Sequence, residues 1–168
     1  MKPRLLLIML LLFWVGAIFL TPVLHHQGGI FHLIADASYL FFGRICHQLD
    51  SHSLHFSGSK LPVCTRCLAI YCSFFIGALL YKHSASMGQR FVSLRLFPLI
   101  AAIPMVIDVV LSWTGLHHST PATRLLTGGF FGAGMSFLLV PFLLIVINQI
   151  LNRSEQLLNS NRYDAETE

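Results

Sequence analysis

Four long apolar runs alternate with short polar stretches along the chain, and they predict four membrane-crossing helices. Residues 5–24 carry no charge, and residues 62–81 carry only Arg66. Residues 96–113 hold Asp108 and two prolines, and residues 125–147 are again free of charge. A span needs about 20 mostly apolar residues to cross the hydrocarbon layer, which these runs meet or approach. A fifth run, 30–43, is too short and contains His32 and Asp36. Its apolar positions Ile30, Leu33, Ile34, Ala37 and Phe41 follow the spacing of one helical face, which predicts an amphipathic helix lying on the membrane. A re-entrant or fifth spanning helix is the competing reading. The first run also resembles a signal peptide, since Lys2 and Arg4 precede it, but Thr21-Pro22-Val23-Leu24 is a poor cleavage site. The expectation is a retained helix. The predicted fold is therefore all-α: a four-transmembrane-helix bundle with an interfacial helix on the outer face. Residues 1–151 would form one membrane domain and 152–168 a frayed, polar cytoplasmic tail.

Composition narrows the class. With 55% hydrophobic residues, 11% charged residues and a mean hydropathy of +0.70, the chain is too apolar for an ordinary soluble domain. The pI near 9.1 invites a nucleic-acid partner, yet the basic residues stand singly beside apolar runs, so nucleic-acid binding is excluded. They read better as topology. With the N-terminus inside, Lys2, Arg4, Lys82, Arg90, Arg95, Arg153 and Arg162 are cytoplasmic, while only Arg44, Lys60, Arg66 and Arg124 are outside. That bias predicts both termini inside, in the cytoplasmic (inner) membrane of a bacterial cell.

This orientation partitions the chemistry. His25, His26, His32, His47, His52, His55, His117 and His118 all fall outside, together with Cys46, Cys64 and Cys67, whereas His83 is cytoplasmic. Asp108 would lie about 7 to 8 Å below the outer end of its span, at about 1.5 Å per residue. Arg124 opens the last span from the same side. A charge in hydrocarbon costs at least about 2.5 kcal/mol, so Arg66, Asp108 and Arg124 mark a functional site or an ion pair.

The cysteines carry the sharpest signal. Cys64 and Cys67 share a helix face, with Leu68 and Tyr71 continuing the stripe. A helix N-terminus and the neighbouring Arg66 both favour thiolate there. Adding Cys46 and His47 offers a Cys3His set for zinc or another transition metal. Two other readings stand beside it: redox or catalytic thiols, and a structural disulfide in an oxidising compartment. Cys72, about 12 Å deeper at helical rise, reads as a small apolar core residue.

The other polar residues add less. Asp108 could serve as a ligand, a proton carrier, or the partner of Arg66 or Arg124. Gly128-x-x-x-Gly132 lets a helix approach closely, within the chain or in an oligomer. Pro104 could kink its helix and turn Asp108 toward the bundle centre. The common phosphate-loop, dinucleotide, serine-hydrolase and zinc-protease motifs are absent from the sequence.

Cys46-His47-Gln48, then Pro62-Val63-Cys64-x-Arg66-Cys67-x-x-Ile70-Tyr71, then Pro104-x-x-x-Asp108, then Ser119-Thr120-x-x-x-Arg124-x-x-Thr127-Gly128-x-x-x-Gly132 resembles a prokaryotic membrane family, domain-of-unknown-function family 2085. The resemblance implies an integral membrane protein and marks Cys46, His47, Gln48, Cys64, Arg66, Cys67, Asp108 and Arg124 as family-type positions. It supplies no activity. Three functions therefore remain in view. The first is a metal protein with Cys46, His47, Cys64 and Cys67 as ligands. Arg66, Asp108 and Arg124 would then act on an anionic lipid or small molecule. The second is a membrane thiol-disulfide oxidoreductase using Cys64 and Cys67. The third is a structural or assembly subunit stapled by a disulfide.

Overall fold

The computed structural model describes the backbone of residues 3–92, 97–116 and 119–166, and the side chains of 3–81, 98–116 and 119–156. His117 and His118 lie outside the described residues, as do the side chains of Lys82, His83, Arg90, Arg95 and Arg162. The described residues form five α-helices: α1 (Pro3–His25), α2 (Gly29–Gly43), α3 (Thr65–Val92), α4 (Phe97–Trp113) and α5 (Pro121–Glu166). Among the described residues two helical stretches are long and apolar enough to cross a membrane, Pro3–His25 and Pro121–Gln156, each with an 18-residue window of mean hydropathy 2.5. The described apolar parts of α3 and α4, Thr65–Tyr81 and Pro98–Trp113, are shorter.

Local chemistry sets the helix boundaries. Pro62 and Val63 form a bend, and the Cys64 carbonyl accepts the Leu68 N–H at 2.9 Å to start α3. α5 begins four residues before the apolar run because Thr120 caps it. The Thr120 hydroxyl accepts the Thr123 N–H at 3.2 Å, and Pro121 takes the first helical position, where a missing N–H costs nothing. At the other end α5 runs on to Glu166, so residues 152–166 of the tail expected to fray are helical. No Pro or Gly follows Pro141, and Glu155, Gln156, Leu157 and Leu158 are good helix formers.

Contacts along the helices fix their directions. The Arg4 guanidinium reaches the Leu79 carbonyl at 2.9 Å, so α1 runs antiparallel to α3. α3 and α5 run parallel, with Gly128 opposite Arg66, Gly132 opposite Ile70 and Ser73, and Gly77 opposite Ser136. α4 is antiparallel to α5, since Ala101 meets Gly134 while Asp108 lies near Ser119. The C-terminal ends of α1 and α4 and the N-terminal ends of α3 and α5 thus share one end of the bundle. Cys46, Cys64, Arg66, Cys67, Asp108 and Arg124 all collect there.

The interface of α3 with α5 is a backbone-to-backbone contact. A Cβ at Gly132 would lie 2.4 Å from the Ile70 carbonyl oxygen, and one at Gly128 would lie 2.6 Å from that of Arg66. The Gly128/Gly132 face is therefore covered by α3 of the same chain, where an oligomer contact had been one expectation. Gly132→Ala should destabilise the fold by about 1–3 kcal/mol through overpacking. Gly129, with nothing within 4 Å, should accept Ala and gain up to about 1 kcal/mol of helix propensity. Thermal unfolding of both variants in detergent measures the contrast.

The burial pattern is inverted relative to a water-soluble protein. On α4 the inward residues include Ala101 and Asp108, while Leu99, Ile100, Ile103, Val106, Ile107 and Val110 are exposed. On α2, Ile30, Leu33, Ile34 and Phe41, the face expected to be apolar, are exposed, and Ala35 and Phe42 are buried. The polar His32, Asp36 and Tyr39 are only partly exposed, on the side of α2 nearer the protein. α2 folds back on α1 through Gly28 and Gly29, whose φ values of 67° and 58° suit glycine. Trp14 on α1 then packs edge-on against Phe41 and Phe42 of α2 and Tyr71 of α3, at 5.6, 5.4 and 5.7 Å.

Between α2 and α3 the chain makes a short 3-10 turn (Asp50–His52) and a hairpin of β1 (His55–Phe56) with β2 (Ser59–Lys60). Its two-residue turn, Ser57-Gly58, has φ of 52° and 80°, the left-handed geometry that tight hairpins demand.

Candidate metal centre and the neighbouring ion-pair network

Cys46, Cys64 and Cys67 come together: their sulfur atoms all lie within 4.8 Å of one another. α3 presents Cys64 at its cap and Cys67 one turn on, and the loop after α2 delivers Cys46 beside them. Cys46 is buried, at 6% exposure, and packs in a core with Ile18, Phe42, Leu61, Val63 and Leu68. The Cys64 backbone N–H donates to the Cys46 sulfur at 3.1 Å. Contacts from the Cys64 and Cys67 thiols, aided by backbone N–H groups of Gln48 and Cys64, hold the Cys46 thiol well below the ordinary thiol range despite its burial. All four cysteines are free thiols, and Cys72 packs against the edge of the same core.

Gln48 is the brace for this arrangement. Its side-chain amide donates to the Tyr39 carbonyl at 2.8 Å and to the Pro62 carbonyl at 2.7 Å, joining α2 to the segment just before Cys64. The Lys60 ammonium holds the Gln48 carbonyl at 3.2 Å. Gln48 itself sits at φ 46°, a left-handed conformation for a non-glycine residue. The sequence marked Gln48 without a role, because its partners are backbone atoms that no motif spells out.

The predicted imidazole behaves differently. His47 is exposed and is not among the atoms that converge with the three sulfurs. His55 pairs with Asp50 at 3.4 Å on the surface. His52 is partly buried, and its carbonyl accepts the Thr65 hydroxyl at 3.0 Å. Burial, then the charges of Arg124 and Arg66, push the His52 imidazole below its usual range, which keeps it neutral near pH 7.

Arg66 leaves α3 on another flank. Side chains step by about 100° per residue, so Arg66 projects far from the Cys64/Cys67 direction. It forms an ion pair with Asp108 on α4. The Ser119 hydroxyl donates to the same carboxylate at 3.1 Å, and the Arg124 Nε donates to that hydroxyl at 3.1 Å. Asp108 and Arg124 are 7% and 8% exposed, so neither charge faces outward. Asp108 is thus the direct partner of Arg66 and only the indirect partner of Arg124. Ser119, the link between them, was missed as a site residue. One carboxylate faces Arg66 directly and Arg124 through Ser119, and Arg66 Nε is buried without a hydrogen-bond partner. Such a cluster has capacity left for one more acceptor.

An apolar, mainly helical protein with a thiol cluster and a buried ion-pair network at one end is thereby defined. The chain belongs to the family described as "Predicted membrane protein (DUF2085)", whose model matches residues 46–138, from Cys46 past Arg124. It is 30% identical over 138 residues to an uncharacterized protein of Methanocaldococcus jannaschii, covering 80% of this chain and 88% of that one. It is 31% identical over 102 residues to an uncharacterized protein of Methanothermobacter thermautotrophicus, covering 58% of this chain and 86% of that one. No solved structure matches.

Proposed function

We propose that this is a four-span membrane protein whose Cys46, Cys64 and Cys67 bind a transition metal, zinc by default, at the outer membrane–water boundary. The observation that carries this reading is the meeting of three sulfurs from two separate chain segments within 4.8 Å, next to a network with an unspent donor. Soft thiolates in a tetrahedral set suit zinc, and a fourth position remains for His47, adjacent to Cys46 in the chain. Zinc in such a site would act as a Lewis acid, or as a structural tie if His47 closes it. Arg66 and Arg124, with Asp108 and Ser119 orienting them, would hold an anionic headgroup or small anion on the other flank of α3, at the same end of the bundle. The inverted burial of α2 and α4 supports a lipid surround for residues 1–151, with α2 as an interfacial helix. Bound metal with free thiols in purified protein tests the reading.

The orientation follows from the basic residues and gives its own prediction. An impermeant thiol label applied to intact cells, in a background lacking reactive native cysteines, should modify Ser57→Cys at the hairpin tip. It should miss Ser86→Cys, which the charge bias assigns to the cytoplasm. The opposite pattern would invert the bundle.

Disulfide exchange is the second reading, favoured by the three free thiols that meet within 4.8 Å. A Cys46 thiolate would attack a substrate disulfide and expel one substrate thiolate. Cys64 or Cys67 would then displace the second, leaving the protein oxidised and the substrate reduced by two electrons. A quinol or a thiol reductant would return the protein disulfide to thiols and reset it. Metal content and thiol count separate the two readings.

A further inference from the structure

His25, His32 and Asp36 form a second convergence of ligands, on different elements from the cysteines. A ring nitrogen of each histidine and a carboxylate oxygen of Asp36 lie within 4.8 Å of one another. His32 and Asp36 are one turn apart on α2, and His32 Nδ1 stands 3.1 Å from Asp36 Oδ2. By itself that would be an ordinary surface pair. His25 changes the reading, because it comes from the end of α1, and its ring lies 4.5 Å from that of His32 with a tilt of 35°. The Gly28-Gly29 reversal brings these two helices into that register. Two imidazoles and a carboxylate, with their ligand atoms this close together, make the donor set that divalent transition metals accept with coordination positions to spare.

A cleft of about 360 Å³ opens beside the cluster, lined by His25, Asp36, Tyr39, Gln48, Ser59 and Lys60. It is large enough for an ion and a small oxygen ligand. The Ser59 hydroxyl lies 3.4 Å from His25 Nδ1, which makes it a partner for the ring outside the donor set. Tyr39 is a wall rather than a ligand, since its hydroxyl donates to the Lys60 carbonyl. The Lys60 ammonium in the lining suits an anionic oxygen on the ion's open side.

We infer that His25, His32 and Asp36 bind a divalent first-row transition metal, with open coordination positions facing this cleft. The inference does not rest on the cysteine centre and survives its failure. The three side chains are only partly buried, so the ion would exchange with solvent more readily than one held by the cysteines. Gln48 lines this cleft and also braces the segment before Cys64, so the two sites share a wall.

Cobalt(II) titration of the full chain in nanodiscs tests it, because thiolate ligation adds a sulfur-to-cobalt charge-transfer band that nitrogen and oxygen ligands lack. A Cys46→Ser/Cys64→Ser/Cys67→Ser variant should still bind one equivalent, without that band. In the same background His32→Ala should abolish binding. Asp36→Asn, nearly isosteric and so safe for folding, should weaken it at least tenfold, while His26→Ala should leave it unchanged. If the triple-serine variant binds no cobalt, or binds it equally well after His32→Ala and Asp36→Asn, the inference is overturned. Wild-type protein that binds a single equivalent without the charge-transfer band, lost on His32→Ala, would support this site and refute the cysteine centre instead.

Discussion

Replacing Cys64 with serine should strip the purified protein of its metal, with affinity falling by well over the ~10–100-fold that losing even an outer-shell partner costs. Cys64 contributes a sulfur, and its backbone N–H also holds Cys46 at 3.1 Å. A hydroxyl there is a harder and far less acidic donor than a thiol, so two thiolates would remain where three converged. Cys67→Ser should act in the same way. Cys72→Ser should leave metal content intact, because Cys72 is outside the group of sulfurs that lie within 4.8 Å of one another. His47→Ala should weaken binding less than either cysteine change, since its exposed ring must turn to reach the sulfurs and a water can take its place. Metal per chain, measured after gel filtration, ranks the variants. Full occupancy in Cys64→Ser would remove the cysteine-ligand model.

The second large effect lies in the ion-pair network. Asp108→Asn should destabilise the protein by about 3–5 kcal/mol, because it leaves the Arg66 guanidinium in a mostly buried site without its counter-charge. Arg66 is 19% and Asp108 7% exposed at the side chain, so water can relieve little of that cost. Removing both charges separates structure from function. Arg66→Met with Asp108→Leu should recover part of the lost stability in detergent unfolding, since apolar replacements of a buried pair are often neutral, while Arg124 stays buried and charged at 8% exposure. If the network also receives an anion, the stable double variant should no longer bind anionic lipid headgroups in a vesicle or nanodisc assay. Equal headgroup binding by wild type and double variant would reduce the network to a structural pair.

Much of this architecture was legible in the sequence, and the exceptions have physical causes. The apolar runs located α1, α3, α4 and α5, because hydropathy reports directly on length and burial. The face of α2 was legible as well, from Ile30 to Phe41. The start of α5 was misplaced by four residues because hydropathy sees Leu125 before the cap at Thr120 and the proline at 121. The helical tail was missed because polarity was read as disorder, although its residues favour helix wherever no breaker intervenes. At the candidate site, Cys64 and Cys67 could be paired by spacing alone. Bringing Cys46 to them depended on Gln48, whose two backbone acceptors at Tyr39 and Pro62 are invisible in sequence. The choice between Arg66 and Arg124 as partner of Asp108 needed the packing of α4 on α5. His32 and Asp36 stood out only as polar residues in a short apolar run, and the approach of His25 was set by the backbone reversal at Gly28 and Gly29. Sequence thus exposed the ligands that lie within one helix and concealed those that a turn must deliver.

The central claim is that the three outer cysteines hold a metal rather than a disulfide. Elemental analysis of wild-type protein purified without chelator, combined with a thiol count under denaturing conditions before and after reduction, tests it most directly. The account predicts bound zinc or a neighbouring transition metal, lost in the Cys64→Ser variant. It also predicts four titratable thiols after metal release, with no increase on reduction, matching the four cysteines of the chain. A metal-free protein that gains two thiols only on reduction would contradict it.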